Sequence, residues 1–220
     1  MAAILKGCIF DLDGVIVDTA RYHFLAWKRL AGDLGFEFTE KDNEQLKGVS
    51  RMTSLDILLA TGNIEKDKAA KERLAVKKNE WYIEYIRKLT PADILPGSVE
   101  LLEELHSHGI KCAVGSASKN AMLILERLRL TDRFDVIIDG TRVNSAKPDP
   151  EVFVLAAREM GLRYDEVIVF EDAVAGVEAA GRAGMKCIGV GKPEALRMAA
   201  TVVTDLSELN YSKLIKIYGS

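Results

Sequence analysis

The sequence predicts an α/β protein in which a parallel, doubly wound core carries an inserted helical cap. Two observations set the core. From about residue 94 onward, short and nearly all-apolar runs alternate with helical patterns, the signature of a parallel sheet covered on both faces. A further apolar run, residues 4–10, ends in two closely spaced aspartates, Asp11 and Asp13. One observation sets the cap: residues of about 16–92 break the alternation and read as helices. The expected division is 1–15 plus 93–220 for a Rossmann-like core and 16–92 for the cap.

The elements follow in order. Residues 4–10 read as the first strand. The insert reads as helices over 22–34, 43–46, 51–61 and 64–89, with Trp81, Tyr82 and Tyr85 supplying apolar contacts on the last. Pro91 and Pro96 punctuate the return to the sheet. Leu101, Leu102 and Leu105 at helical spacing place a helix over 97–107. Strands over 110–114, 134–138, 167–170 and 186–190 then alternate with helices over 121–130, 151–160 and 173–183.

Composition narrows the class. The 220 residues suit one large domain, or a core plus a smaller unit. A net charge of -3 gives no reason to expect a nucleic-acid partner. No apolar run approaches the ~20 residues of a membrane span, so no membrane partner is expected. The aspartates interrupt the apolar N-terminal stretch, so no secretory signal is expected either. Cys8, Cys112 and Cys187 each sit in a short apolar run without paired spacing. They read as buried, inert thiols in a reducing compartment, consistent with a cytoplasmic protein.

The candidate chemistry lies beyond the strand ends, where open α/β sheets bind ligands. In an extended chain, residues i and i+2 share a face, so Asp11 and Asp13 would share a pocket. Two carboxylates that close call for a cation between them, or for a proton on one. The first outcome is a magnesium site and the second a nucleophile beside a general acid. Ser116, Ser118, Lys119 and Asn120 follow the 110–114 strand, Lys147 the 134–138 strand, and Glu171-Asp172 end the 167–170 strand. Carboxylates for a hard cation, a hydroxyl and helix-start amides for an anion, and a lysine counter-charge make a phosphoryl-transfer inventory.

Each member has a plainer explanation when taken alone. Asp-Gly is a common turn dipeptide, acids cap helices, and a lone lysine is usually solvated. His106 and His108 flank a helix end near Gly109, where capping or solvation suffices. His23 opens the insert near Asp18, with structural and catalytic roles both open. Gly189-Val190-Gly191-Lys192 is no P-loop, because Lys186 stands where the first glycine belongs and Pro193 where Ser or Thr should follow.

Asp11-Leu12-Asp13-Gly14, Ser116, Lys147-Pro148 and Glu171-Asp172 resemble, in order and spacing, the four motifs of the haloacid dehalogenase superfamily. The resemblance spans essentially the whole chain. The insert is similar to the cap of a subgroup of small-molecule phosphatases and sugar-phosphate mutases. Local features are closer to the mutases: residues 18–27 resemble their hinge and first cap helix, 43–51 their substrate-specificity loop, and 91–93 and 116–120 further segments. Residues 62–78 carry little resemblance, and the last 20 match weakly. Val15 and Ala173 stand where Thr, and Ser or Asn, are common in the superfamily.

This resemblance implies an Mg²⁺-dependent interconversion of β-D-glucose 1-phosphate and glucose 6-phosphate. It runs through an aspartyl phosphate, with β-glucose 1,6-bisphosphate as activating intermediate. Asp11 is implied as nucleophile and Asp13 as general acid and base, with Thr19 in the catalytic set and His23 orienting Asp13. The implied metal ligands are Asp11, Asp172 and the backbone carbonyl of Asp13, with Glu171 nearby. Ser116 and Lys147 would hold the transferring phosphoryl group; Trp27, Lys47, Gly48, Arg51, Ser54, Ala117, Ser118, Lys119 and Asn120 would bind substrate. Arg51 is the candidate handle for a distant phosphate, since a guanidinium grips phosphate bidentately. The expected partners are sugar phosphates alone, and a monomer is expected. The alternatives are a small-molecule phosphatase of the same superfamily and a capped domain that only binds a cation or phosphate ligand.

Overall fold

The computed structural model describes residues 4–46 and 48–219. Six strands, β1 (Gly7–Phe10), β2 (Lys111–Gly115), β3 (Val136–Ile138), β4 (Val167–Glu171), β5 (Lys186–Val190) and β6 (Thr201–Val203), form one sheet in the order β3-β2-β1-β4-β5-β6. Every pairing is parallel. Strand β1 lies between β2 and β4, so the order reverses beside it, at the switch point where such sheets hold ligands.

Alternate side chains of these strands go to opposite faces, and both faces are apolar. Cys8, Phe10, Cys112, Val114, Ile168 and Phe170 join one core cluster, and Ile9, Ala113 and Val169 the other. The first face is covered by α5 (Ser98–Ser107), α6 (Ala121–Leu128) and α9 (Tyr211–Gly219), through Leu101, Leu105, Ile124, Leu125 and Leu214. The second is covered by α7 (Glu151–Met160) and α8 (Val174–Arg182), through Phe153, Ala157, Val177 and Ala180. Phe10 stacks on Phe170 with centroids 4.5 Å apart, tying β1 to β4 directly beneath the site.

Between β1 and α5 the chain leaves the sheet to build α1 (Ala20–Asp33), α2 (Glu40–Asn43), α3 (Arg51–Thr61) and α4 (Lys68–Ile86). Trp27, Leu30, Leu55, Leu58 and Tyr82 are buried among these helices. The two crossings to and from the insert run side by side: Val17 bridges to Ile94, and Leu95 N donates to Ile16 O at 2.9 Å.

Three differences from the sequence expectation have local causes. The short helix placed at 43–46 is two pieces, α2 and a 3₁₀ turn over Glu44–Leu46. Helix α2 starts earlier because Thr39 and Asp42 form a capping box. The helix placed over 64–89 begins at Lys68, where Asp67 accepts a bond from Ala70 N at 2.7 Å. Strand β6 and helix α9 lie beyond the last expected element.

Candidate active site

The loop after β1 is fixed by its backbone. Asp11 N donates to Phe170 O at 2.9 Å, extending the sheet by one residue. Gly14 N then donates to Val17 O at 2.8 Å, and Ile16 N to Leu12 O at 3.0 Å, closing a tight turn. Gly14 sits at φ 91°, and a Cβ there would collide with the Asp172 carboxylate, so glycine is what lets this loop lie against the end of β4.

Asp11 and Asp13 line one cavity of about 750 Å³, as their spacing predicts, but their carboxyls have different neighbours. Asp11 belongs to the core. Its Oδ1 accepts from Lys147 Nζ at 2.5 Å, and Lys147 also bonds Glu171 Oε1. Asp11, Glu171 and Asp172 each offer an oxygen within 4.8 Å of the others. Burial pushes Lys147 down, but Asp11 and Glu171 outweigh it and hold the ammonium above its usual value. Burial pushes Glu171 up to about 7, against the pull of Lys147. Glu171 Oε2 also accepts from Ala173 N at 3.0 Å.

Asp13 faces the cap. Its Oδ1 accepts from Thr19 Oγ1, and from Tyr82 OH at 3.4 Å; His23 Nε2 stands 3.8 Å away. Burial, then the charge of Asp11, raises its pKa to about 6; Thr19, Lys147 and Tyr82 oppose the rise. The carboxyl gathered with Glu171 and Asp172 is thus that of Asp11, while that of Asp13 lies among groups of the insert.

Behind Asp13 lies a group that sequence reading did not single out. Lys78 is 2% exposed, packs against the rings of Trp27 and Tyr82, and its Nζ stands 2.9 Å from His23 Nδ1. Burial, then the charges of Lys78 and Arg51, lowers His23 well below its ordinary value, and burial lowers Lys78 as well. An ammonium at Lys78 would donate to Nδ1 and leave the ring proton on Nε2, the atom that faces Asp13. The sequence does hold a signal for Lys78. The buried residues of α4 are Ala75, Lys78, Trp81, Tyr82 and Ile86, so a lysine occupies the apolar stripe of an amphipathic helix.

The other expected residues fall into two groups. On the core side, Ser116, Ala117, Ser118, Lys119 and Asn120 line the cavity. Ser116 Oγ accepts from Ser118 N at 3.0 Å, and Ser118 Oγ from Asn120 N at 3.2 Å, so hydroxyls order the turn leading into α6. On the cap side, Trp27, Gly48, Arg51 and Ser54 line the same cavity. Arg51 opens α3, whose N-terminus Ser50 caps by accepting from Thr53 N at 3.1 Å. Ser54 is buried on the cavity wall, and its hydroxyl donates to Leu46 O at 3.4 Å, tying it to the loop before α3. Lys47 lies outside the described residues. Asn79, also unforeseen, accepts from Asn120 Nδ2 at 3.0 Å and joins α4 to α6 across the cavity.

A family profile described as haloacid dehalogenase-like hydrolase matches residues 8–190. The chain belongs to this family. It is 43% identical to a β-phosphoglucomutase of Bacillus subtilis (strain 168), over 96% of this chain and 94% of that one. It is 34% identical to a phosphorylated carbohydrates phosphatase of Thermotoga maritima, over 84% of each. Among solved structures it is similar to a β-phosphoglucomutase from Clostridium difficile, with a TM-score of 0.94 and 41% identity over 98% of this chain and 97% of that one. The six-stranded parallel sheet and the helical insert are thus the haloacid dehalogenase-like fold. Proteins of this family use Mg²⁺, and the all-oxygen set Asp11, Glu171 and Asp172 suits a hard divalent cation; without thiol or imidazole, it offers nothing to select zinc.

Proposed function

We propose that this haloacid dehalogenase-like chain is a phosphomutase that interconverts β-D-glucose 1-phosphate and glucose 6-phosphate. The observation that carries the reading is the division between the two acids: Asp11 is held by core groups alone, Asp13 by groups that the insert brings. Residues 16–92 act as a cap over a core of 1–15 and 93–220. Asp11 attacks the phosphoryl group of β-glucose 1,6-bisphosphate, a P–O(sugar) bond breaks, and Asp13 gives its proton to the leaving sugar oxygen. In the return step a sugar hydroxyl attacks the aspartyl phosphate, its proton passes to Asp13, and the Asp11–phosphoryl bond breaks. Ser116 and Lys147 hold the phosphoryl oxygens, and Thr19, Tyr82 and His23 orient Asp13. Asp11, Asp172 and the Asp13 carbonyl, with Glu171 beside them, would hold Mg²⁺. When bound, it supplies positive charge against the transferring phosphoryl oxygens.

A mutase must prefer a sugar hydroxyl to water at ~55 M, and positioning supplies effective molarities of about 10⁵ M or more. The cap supports such positioning, because it places Arg51, Trp27 and Gly48 around the same cavity as Asp11. The three buried free thiols suit the cytoplasm. The test is an assay with Mg²⁺, β-glucose 1-phosphate and catalytic β-glucose 1,6-bisphosphate. Glucose 6-phosphate should form in large excess over free phosphate; free phosphate as the main product would make the chain a phosphatase.

Variants at two positions probe the assignments. Asp13→Asn should lower mutase turnover by about 10²–10⁴-fold, yet leave phosphorylation of Asp11 by acetyl phosphate nearly intact, because acetate leaves without a proton. The sign of the pH effect follows from Asp13's pKa of about 6. Attack by the sugar hydroxyl needs the ionised form, so the single-turnover rate from phosphoenzyme should rise with pH as Asp13 ionises and then level off. Arg51→Ala should cut mutase turnover by roughly ten- to hundred-fold, the worth of one charge-assisted contact, and spare acetyl phosphate, which has no second phosphate to grip. Lys at position 51 should rescue only in part, since it keeps the charge and loses the fork. Equal losses on both substrates would give Arg51 a purely structural role.

A further inference from the structure

Among the described residues, cap and core also touch on either side of the β1 loop. On the β2 side, the contact is the Asn79–Asn120 hydrogen bond. On the β4 side, it is a contact of small residues. Gly48, in the loop between α2 and α3, lies over the first turn of α8: a Cβ on Gly48 would stand 2.8 Å from Ala173 Cβ, 3.7 Å from Ala175 Cβ and 3.9 Å from Gly176 N. The nearest atoms beneath this backbone are thus two methyl groups and a glycine nitrogen. Gly48 sits at φ 71°, a conformation that larger residues resist, so the loop pays for this approach with its backbone. Ala173 is 3% exposed and immediately follows the acidic pair. A side chain projecting from this seat would hold the loop, and the cap with it, away from the carboxylates.

We infer that Ala173 is a positioning residue for the mutase reaction: its small side chain seats the Gly48 loop and so keeps water from the aspartyl phosphate. The inference rests on the mutase reading above and adds the position that governs how the phosphoenzyme partitions. In both fates the Asp11–phosphoryl bond breaks. A sugar hydroxyl yields a sugar phosphate and water yields inorganic phosphate, and each nucleophile loses one proton. Positioning favours the sugar hydroxyl, and the seat acts on the other side of the balance, the access of water.

The test uses the full chain with Mg²⁺ and compares wild type with Ala173→Val and Ala173→Ser. Valine suits the backbone at 173, which is extended at φ -116°, ψ 143°, so it adds bulk without strain. The measurements are glucose 6-phosphate formed per phosphate released, and the rate at which acetyl phosphate phosphorylates Asp11. Ala173→Val should lower the product ratio at least tenfold, with acetyl phosphate phosphorylation within about twofold of wild type and Ala173→Ser between the two. Ala175→Leu, on the helix and away from the Glu171 bond, should lower the ratio in the same direction, and it serves if the valine variant does not fold. An unchanged ratio in a folded variant overturns the seat. So does a parallel fall of both activities, which would mark a packing residue. A wild-type chain that makes no glucose 6-phosphate overturns the functional reading itself, and the seat with it.

Discussion

Asp11→Asn is expected to abolish turnover in a chain that still folds. The amide is nearly isosteric with the carboxylate but is no nucleophile at phosphorus, and no second carboxylate takes its place, because Asp13 faces Thr19, Tyr82 and His23. Loss of a covalent nucleophile costs up to about 10⁶-fold in turnover, so activity should fall to background. Folding should hold. The variant removes one of two acids bonded to Lys147 and leaves the other, so the buried ammonium keeps a charged partner. Circular dichroism and a coupled assay on the same sample decide the matter, and near-normal activity in a folded Asp11→Asn chain would remove Asp11 as nucleophile.

Lys147→Met is expected to damage both activity and stability. Lys147 has a side chain 0% exposed between Asp11 and Glu171, and its removal leaves two carboxylates facing one another without a cation. Breaking a buried charge pair from one side costs about 3–5 kcal/mol, most of it the penalty on the charge left behind. The loss should depend on pH. Glu171 already stands raised at about 7, and without Lys147 it rises further. A carboxyl whose folded pKa exceeds its unfolded one contributes stability that is present at low pH and lost as pH rises through the folded value. The gap in urea midpoint between wild type and variant, both metal-free, should therefore be smaller at pH 5 than at pH 8. Lys147→Met/Glu171→Gln should recover part of the stability but none of the activity. A gap that is flat with pH, or a double variant no more stable than the single, would mean that charge is not what Lys147 contributes.

These arguments rest on residues of two kinds, which differ in how plainly the sequence announces them. The strands were legible because a parallel sheet buries both faces: Cys8-Ile9-Phe10 and Val167–Phe170 are apolar at every position. The acids were legible because they stand where such strands end; Lys147, in the loop between β3 and α7, was legible only beside them. Strand β6 was not. Three residues at the sheet edge, Thr201-Val202-Val203, carry too little pattern to set a period, and their pairing with β5 is a tertiary event. The Thr39–Asp42 capping box was legible in principle, as a Thr three residues before an acid. Lys78 is the instructive case. Taken singly it is one lysine among many, and only its place on the buried stripe of α4 marks it. Its role depends on His23, 55 positions earlier, which no local pattern connects to it. Lys47 has a part here only through resemblance, since it lies outside the described residues.

The central claim is that a phosphoryl group carried on Asp11 is handed to a sugar hydroxyl rather than to water. Its most direct test is a single turnover. The chain, with Mg²⁺, is phosphorylated by labelled acetyl phosphate, freed of excess reagent and mixed with β-glucose 1-phosphate. The predicted result is label in β-glucose 1,6-bisphosphate and then in glucose 6-phosphate, with little free phosphate and no labelling of Asp11→Asn. Label released as inorganic phosphate at the same rate with and without the sugar would contradict the account.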